Sequence, residues 1–418
     1  MHYINNTADI CGIDLGTTNS AIAIVTDCGE TEIVPILNEQ TSQLMRTMPS
    51  VIHFSSDGEC LTGHDAVKYL RSDPKNTFGS VKRLIGRKYR KAKEEMKSVS
   101  YECCFDDKTK RVGIKVPNLG KDVSLLPEQI SAKIIERLVG EAEQYRGLES
   151  GSIEKAVITV PAYFDQTQVD ATIDAGIMAG LKMVKTLREP VAAALAYGVD
   201  ILNPNVDETI FVFDLGGGTF DVSILEVGRG TVEVLATGGD SRLGGDDLDV
   251  AVARWMSKEC DKKGLIVDFR GALLNARKTR EKLSDVDMVN VPLPPDGEEV
   301  AFTRQMLEKA CASVLRRMRQ PCVECADSAG VNLERLRQIE EAKNMKRSKI
   351  SARSAGRPFD RVLLVGGATK TPCVRKFVEN TFSRKPELDL VDPDEVVALG
   401  AAVRAGSLSG TIDNVDTF

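Results

Sequence analysis

The chain carries the stretch Asp14-Leu15-Gly16-Thr17-Thr18-Asn19-Ser20, and 200 residues later it carries Asp214-Leu215-Gly216-Gly217-Gly218-Thr219-Phe220-Asp221. An apolar run precedes each copy and a β-rich run follows it. This pattern predicts a strand, a glycine turn and a second strand, which together form a β-hairpin with a charged tip. Two copies with the same flanks predict a duplicated α/β fold in which each lobe has a mixed sheet with helices.

The residue types in these turns suit a polyphosphate with its metal ion. Glycines allow the backbone to come close to a ligand with its N–H groups pointing inward, and threonine hydroxyls add further donors. The aspartate near the end of each first strand, Asp14 or Asp214, can hold a divalent cation. A single copy is more often an ordinary glycine hairpin, but the repetition favours a clamp for phosphates in a cleft.

Two competing phosphate motifs are excluded. The sequence contains no G-x-x-x-x-G-K-[ST], so it is not a P-loop protein. Neither turn opens a helix, so the dinucleotide-binding fingerprint lacks its structural context.

Composition restricts the classes of partner. A chain of 418 residues predicts two or three domains or one large bilobed unit. Its net charge of −6 argues against nucleic acid and anionic membranes as partners, and an aromatic content of 5% argues against base stacking. We find no run of 18 apolar residues and too little chain before the first strand for a signal or transit peptide, so we expect a cytoplasmic protein.

The cysteines indicate free thiols. The 10 cysteines form no disulfide framework, which is typical of a reducing compartment. Cys322 and Cys325 form a C-x-x-C pair, but there is no second pair and the only histidines are His2, His53 and His64. A buried helical face is therefore favoured over a zinc site, which needs four ligands.

The pattern along the chain predicts two lobes. Lobe I covers residues 1–205 with a subdomain at about 43–124, and lobe II covers 206–392 with a subdomain at about 243–304. We expect a last helix over 393–405 and a polar tail over 406–418. Further expected elements are a helix from Pro127, a strand over Ala156–Val160, a helix over Gln166–Gly180, a strand over Met183–Leu187, a helix opened by Pro190, and a strand over Arg361–Val365 followed by a third glycine turn.

Three segments resemble the signatures of the DnaK-type heat-shock chaperones, the seventy-kilodalton class. They are Gly12-Ile-Asp14-Leu-Gly-Thr-Thr-Asn-Ser20, Phe213-Asp-Leu-Gly-Gly-Gly-Thr-Phe-Asp-Val-Ser223 and Val362-Leu-Leu-Val-Gly-Gly-Ala-Thr-Lys-Thr-Pro372. Shorter matches follow in family order at Lys82–Gly86, Val160–Phe164, Glu189-Pro190 and Asp392–Glu395. The resemblance covers residues from about 9 to 410 and implies the actin-like ATPase fold, with four subdomains around a nucleotide cleft.

The resemblance also implies roles for individual residues. Asp14 and Asp214 would orient magnesium, Lys82 would reach the γ-phosphate, and Glu189, Asp221 and Thr219 would act with Lys82 on the attacking water. The resemblance assigns cofactor binding to Gly16, Thr17, Thr18, Gly216, Gly217, Gly218, Thr219, Gly244, Gly245, Arg280, Ser284, Gly366, Gly367 and Asp394. The implied cofactors are ATP or ADP and Mg²⁺, and the family also allows K⁺.

The sequence departs from the family pattern in four places. The family continues with an apolar linker and a peptide-binding domain, whereas this sequence ends at Phe418, so we expect no direct peptide substrate. Val169 stands where the family has an arginine that relays signals to that domain. In the adenosine helix Arg277 stands where the family has glutamate and Glu281 where it has arginine, which predicts weaker nucleotide binding. A basic segment at 335–357 is either a solvated loop or a docking loop for an acidic partner.

The expected function is that of a slow, magnesium-dependent ATP hydrolase. It would be a monomer that acts in protein folding or quality control, with J-domain co-chaperones and nucleotide-exchange factors as the partners the resemblance allows. The alternative is a nucleotide-dependent scaffold with little turnover. A sugar kinase or a filament-forming protein would share the fold, but we find no motif for a second substrate pocket and no amphipathic membrane-binding start.

Overall fold

The computed structural model describes residues 9–199, 207–228, 231–265, 269–293, 298–331, 333, 359–387 and 390–412. The chain divides into two compact units: unit 1 comprises Met1–Pro204 with Asp394–Phe418, and unit 2 comprises Asn205–Pro393. The basic segment 335–357 lies outside the described residues.

The strands of unit 1 are β1 (Ile10–Asp14), β2 (Asn19–Val25), β3 (Thr31–Ile33), β4 (Ile36–Asn38), β5 (Gln43–Met45), β6 (Met48–Pro49), β7 (Val51–Phe54), β8 (Cys60–Thr62), β9 (Thr77–Gly79), β10 (Cys103–Phe105), β11 (Val112–Lys115), β12 (Ser124–Leu125), β13 (Lys155–Val160) and β14 (Met183–Arg188). Its helices before unit 2 are α1 (His64–Val67), α2 (Tyr69–Ser72), α3 (Lys93–Lys97), α4 (Pro127–Arg146), α5 (Gln166–Met178) and α6 (Glu189–Ala196). Short 3₁₀ turns lie at Val81–Arg83, Tyr89–Lys91 and Pro117–Leu119.

Unit 2 contains the strands β15 (Asp207–Leu215), β16 (Phe220–Gly228), β17 (Thr231–Asp240), β18 (Met288–Leu293), β19 (Glu298–Thr303) and β20 (Arg361–Val365). Its helices are α7 (Gly245–Lys262), α8 (Phe269–Asp285), α9 (Arg304–Ser328) and α10 (Pro372–Phe382), with a 3₁₀ turn at Gly367–Lys370. The chain then returns to unit 1 as α11 (Val396–Ser409).

The two units repeat one sheet topology. In unit 1 the strand order is β14-β13-β1-β2-β3, with β13 parallel to β1 and with β2 antiparallel to both β1 and β3. In unit 2 the order is β17-β16-β15-β20, with β20 parallel to β15 and with β16 antiparallel to both β15 and β17. Each hairpin turn is four residues long, 15–18 in unit 1 and 216–219 in unit 2. The predicted duplication of a mixed α/β sheet is therefore confirmed.

Apolar strands and amphipathic helices build each core. In unit 2, Phe211, Phe213 and Phe220 are fully buried, and the rings of Phe213 and Phe220 lie 4.8 Å apart. Helix α9 covers this sheet with Cys322 and Cys325 buried. All ten cysteines are free thiols. Among the described helices, none combines the length and apolar character that crossing a bilayer requires.

The last helix differs from its prediction. It runs over Val396–Ser409 rather than 393–405, so residues 406–409 belong to the helix and not to a polar tail. The reason is close packing of small residues, since Gly406 lies against the side chains of Val25 and Ile412. The helix ends at Gly410, whose φ of 76° favours glycine. Residues 413–418 lie outside the described residues.

Glycines allow α11 to contact the backbone of its neighbours. A Cβ on Gly12 of β1 would lie 2.2 Å from the backbone nitrogen of Ala402, and one on Gly400 would lie 1.8 Å from the carbonyl oxygen of Ala192 in α6. Because both obstacles are backbone atoms, no side-chain rotation can relieve the contact. These two glycines therefore hold the C-terminal helix close to the end of β1 that carries Asp14.

We predict that Gly400→Ala destabilises the protein by about 1–3 kcal/mol, because the added methyl group overpacks a helix crossing. Gly140 provides the matched control: it is exposed within α4, and a Cβ there meets nothing within 4 Å. Gly140→Ala should instead stabilise by about 0.5–1 kcal/mol through helix propensity. Urea denaturation of both variants measures this contrast, and equal gains at the two positions would refute the tight crossing.

Candidate functional site

Two serines hold the first hairpin turn in place. The N–H of Gly16 donates to Ser20 Oγ at 3.1 Å, and Ser50 Oγ donates to the carbonyl of Gly16 at 2.8 Å. The N–H of Ser50 donates to the carbonyl of Thr18, and the two serine hydroxyls lie 2.8 Å apart in a buried position. A Cβ on Gly16 would lie 1.9 Å from the carbonyl oxygen of Asn19. This network fixes the backbone of the turn. Thr17 and Thr18, which belong to the turn, are partly exposed.

Asp14, at the end of β1, lies in a cluster of charged residues. Thr159 Oγ1 donates to Asp14 Oδ1 at 3.1 Å. Burial raises the pKa of Asp14 to about 6; the charges of Glu189 and Asp394 also raise it, whereas Lys82 and the hydrogen bond from Thr159 lower it. The sequence analysis assigned Asp14, Lys82, Glu189 and Asp394 separately, and in the structure their charges interact. Thr159 was not predicted, because nothing in a V-I-T-V strand marks its threonine as a partner for a carboxylate.

Lys82 and Glu189 form a buried ion pair. Lys82 Nζ donates to Glu189 Oε1 at 2.6 Å, and the two side chains are only 8% and 12% exposed. Lys82 belongs to the 3₁₀ turn Val81–Arg83, and Glu189 is the first residue of α6. The Lys82 ammonium also lies 6.0 Å from the centre of the Phe164 ring. The sequence assigned both residues to phosphate chemistry but did not indicate that they contact each other.

The segment that carries Lys82 packs on α5. Gly86 has a φ of 67°, and a Cβ there would lie 2.6 Å from the Cα of Gln168. Ile85 packs in a buried cluster with Val160, Phe164 and Val169. Val169, where the family pattern has an arginine, is therefore an apolar contact in the support of Lys82.

In unit 2, two carboxylates face each other across the second hairpin. Asp214 of β15 and Asp221 of β16 are direct cross-strand partners. Like charges directly opposite each other destabilise an antiparallel pair unless something compensates them. In the first hairpin, Asp14 is instead opposite Ala21. The second hairpin thus has two adjacent acidic side chains at the position where the first has one.

The turn at Gly244 and Gly245 packs directly on the second hairpin. The N–H of Gly245 donates to the carbonyl of Gly216 at 2.9 Å, and the N–H of Asp246 donates to the carbonyl of Gly217 at 2.8 Å. A Cβ on Gly244 would lie 2.4 Å from the carbonyl oxygen of Gly217. The start of α7 is therefore hydrogen bonded to the tip of the hairpin.

The third glycine turn meets the same hairpin from β20. Gly366 has a φ of 81°, and a Cβ there would lie 2.4 Å from the carbonyl oxygen of Leu215 and 3.0 Å from Asp214 Oδ1. Gly367 begins the 3₁₀ turn that follows. Three turns that the sequence assigned to phosphate and nucleoside binding are thus adjacent in unit 2. The turn residues in this group are Gly216, Gly217, Gly218, Thr219, Gly244, Gly245, Gly366 and Gly367.

Arg280, predicted to contact adenosine, makes strong contacts within the protein. Its Nε donates to Asp249 Oδ1 at 2.6 Å and its NH1 donates to Thr371 Oγ1 at 3.1 Å. The Arg280 and Asp249 side chains are each 6% exposed. Arg280 thereby joins α8 to α7 and to the residue that precedes α10. The adenosine contact of Arg280 stays a prediction. Ser284, which was predicted to act with it, lies half-buried near the end of the same helix.

The two reversed charges of the adenosine helix pair with each other. Arg277 Nε donates to Glu281 Oε1 at 3.2 Å, one helical turn apart, and both side chains are about half exposed. Such an exposed pair contributes little to stability. Arg277 replaces the family's glutamate and Glu281 replaces its arginine. Because the two new charges are opposite, this surface remains locally neutral.

The whole described part of the chain matches one protein family. The family model described as Hsp70 protein matches residues 10–342 and 340–418. The chain belongs to the Hsp70 family. The actin-like ATPase fold that the sequence predicted is thereby confirmed.

Curated relatives give the same assignment. The chain is 40% identical over 420 residues to the stromal 70 kDa heat shock-related protein, chloroplastic, of Pisum sativum, and 40% identical over 420 residues to the chaperone protein dnaK of Guillardia theta. It is 39% identical over 422 residues to the chaperone protein DnaK of Trichormus variabilis. Each alignment covers 97% of this chain but only 54%, 61% and 55% of the relative, so the chain spans a little over half the length of these relatives.

We predict that Asp14→Asn stabilises the ligand-free protein at neutral pH. Because folding raises the pKa of Asp14 to about 6, its proton is bound more tightly in the folded state, and the resulting stability is lost as the pH rises through 6. Above that pH the ionised carboxylate costs on the order of 1–3 kcal/mol, which the neutral amide avoids.

Urea denaturation in the presence of EDTA at pH 5 and at pH 8 tests this expectation. The gain from Asp14→Asn should be largest at pH 8 and should shrink at pH 5. Asp122→Asn, at an exposed carboxylate of the same unit, should change stability little at either pH. A gain for Asp14→Asn that does not depend on pH would contradict the electrostatic explanation.

Proposed function

We propose that this chain binds ATP with magnesium and hydrolyses it to ADP and phosphate. The electrostatically interacting group of Asp14, Lys82, Glu189 and Asp394, with the glycine-threonine turn that follows Asp14, carries this proposal. Taking ionic groups out of water is costly, and groups perturbed in this way are concentrated at functional sites. Membership of a family whose relatives are named chaperones supports the same conclusion.

The acidic residues fit a magnesium ion. Mg²⁺ prefers oxygen ligands and is usually held by one or two carboxylates and by phosphate oxygens. The charges of Glu189 and Asp394 act on Asp14, and Asp214 is directly opposite Asp221. We assign Asp14 and Asp214 to hold the ion, which when bound would neutralise charge on the phosphates.

The turns fit the phosphates. Gly16, Gly244 and Gly366 have no room for a Cβ, so their backbones are shaped by close contact and are preorganised. The hydroxyls of Thr17, Thr18 and Thr219 and the N–H groups of the same turns would donate to phosphate oxygens. The Arg277–Glu281 pair would alter the adenosine contact rather than the phosphate contact.

Lys82 and Glu189 are the residues that we assign to the chemical step. A lysine ammonium at the γ-phosphate stabilises charge that develops in the transition state. A carboxylate next to it can orient the attacking water and accept its proton. In the ligand-free protein the two groups neutralise each other at 2.6 Å, so a bound phosphate would compete with Glu189 for the ammonium.

The cellular role that we propose follows from the family. The chain would act in protein folding or quality control through J-domain co-chaperones and nucleotide-exchange factors, as a monomer in a reducing compartment such as the cytoplasm. The alternative, a nucleotide-dependent scaffold with little turnover, uses the same binding residues. Measured hydrolysis distinguishes the two, because a scaffold requires binding alone.

We predict that Lys82→Ala lowers the single-turnover rate of ATP hydrolysis by about 100-fold or more while nucleotide affinity changes little, because the lost charge acts mainly on the transition state. Lys155→Ala is the control, since Lys155 also pairs with a carboxylate, Asp9, at 2.6 Å but lies at the other end of β13. It should hydrolyse ATP like the parent. A parent-like rate in Lys82→Ala would remove Lys82 from the catalytic set, and no hydrolysis by the parent would favour the scaffold.

A further inference from the structure

Helices α7 and α9 form a groove on unit 2 that the nucleotide site does not use. Its volume is about 580 Å³. The α7 side of the groove presents Arg254, Lys258 and Lys262 at intervals of four residues, and Lys309 lies on the α9 side. Residues four apart lie on one face of a helix, so the three α7 cations form a continuous row. Arg254 lies nine residues beyond Gly245, which places it about 14 Å along the helix from the glycine turns.

The cations of the groove are largely uncompensated. Arg254, Lys258 and Lys309 are exposed, and none of them forms an ion pair with another described residue. Lys262 is paired with Glu259 at 2.6 Å, and Glu259 is the one acidic residue among those that line the groove. The groove is therefore strongly positive on a chain whose net charge is −6. A positive groove attracts a negatively charged partner and repels the same groove of a further copy of the chain.

The floor of the groove is apolar. Trp255 is half-buried, and its ring lies 4.1 Å from that of Phe302, which is fully buried. Met306 and Ala310 continue this apolar surface from α9. A tryptophan that packs on a buried core is a favourable anchor for a partner's apolar side chains. An ordinary lysine-rich surface does not require such an aromatic residue.

We propose that this groove docks an acidic amphipathic helix from a partner protein. Carboxylates one turn apart on that helix would face Arg254, Lys258 and Lys309, and its apolar stripe would lie on Trp255 and Met306. The α7 side of the groove, from Ala251 to Lys262, is about 16 Å long and matches three turns of a docked helix. This site goes beyond nucleotide binding and does not depend on it.

Trp255 makes a direct test feasible, because it is the only tryptophan in the chain. The probe is a synthetic peptide of about 16 residues, made of glutamate, leucine and alanine without aromatic residues, with glutamates on one side of the helix and leucines on the other. Titration at low salt should give a saturable change in Trp255 emission. A peptide of identical composition with its order scrambled, so that no apolar face forms, should bind about tenfold more weakly or less.

Charge-reversal variants locate the binding. Lys258→Glu with Lys309→Glu should weaken the amphipathic peptide at least about tenfold. Lys91→Glu with Lys93→Glu, at exposed lysines of unit 1, makes the same change in net charge and should leave peptide affinity within about twofold. Nucleotide affinity of the groove variant should equal that of the parent, which separates this proposal from the nucleotide site.

Three outcomes would overturn the proposal. They are the absence of a saturable emission change for the parent, equal affinity for the scrambled peptide, and equal affinity of the groove variant and the unit 1 variant. The second would indicate attraction by charge alone, as expected for any polyanion.

Discussion

The candidate site in unit 1 depends on a desolvated carboxylate, Asp14, on which the charges of other carboxylates act. Asp14, Glu189, Asp394 and Lys82 carry a net charge of −2 when all are ionised. Burial and repulsion hold the pKa of Asp14 at about 6, so the ligand-free protein keeps this charge only against an electrostatic cost. In the proposed function a divalent cation offsets part of this charge. Lys82 pairs with Glu189, and Thr159 donates a hydrogen bond to Asp14.

The two units share a topology but differ in chemistry. Both use a strand, a four-residue turn and a second strand, and both add a parallel strand beside the first. In unit 1 the aspartate at the hairpin is joined by a lysine and a glutamate from distant segments. In unit 2 the second aspartate comes from the hairpin itself, and two further glycine turns pack on its tip. The two units therefore surround their hairpin aspartates with different side chains.

The local parts of the structure were predictable from sequence because they follow from short-range rules. Alternating apolar runs and glycine turns predict both hairpins, and Pro190 marks the start of α6. Partners that lie far apart in the chain were not predictable. Ser50, Thr159 and the contact between Lys82 and Glu189 arise from tertiary packing over 30 to 145 residues of sequence separation. The sequence analysis ended α11 too early, because a run of glycine and serine is typical of a polar tail. Only the structure shows that these small residues pack closely against their neighbours.

The most direct measurement is the calorimetric affinity for ATP with magnesium and with EDTA. We expect the parent to bind MgATP at least about tenfold more tightly than ATP alone, and Asp14→Asn and Asp214→Asn to lose most of that difference. Asp170→Asn, at an exposed carboxylate of α5, should bind like the parent. Equal affinity of the parent in magnesium and in EDTA, or full magnesium dependence in both site variants, would contradict the assignment of these hairpins to a magnesium nucleotide.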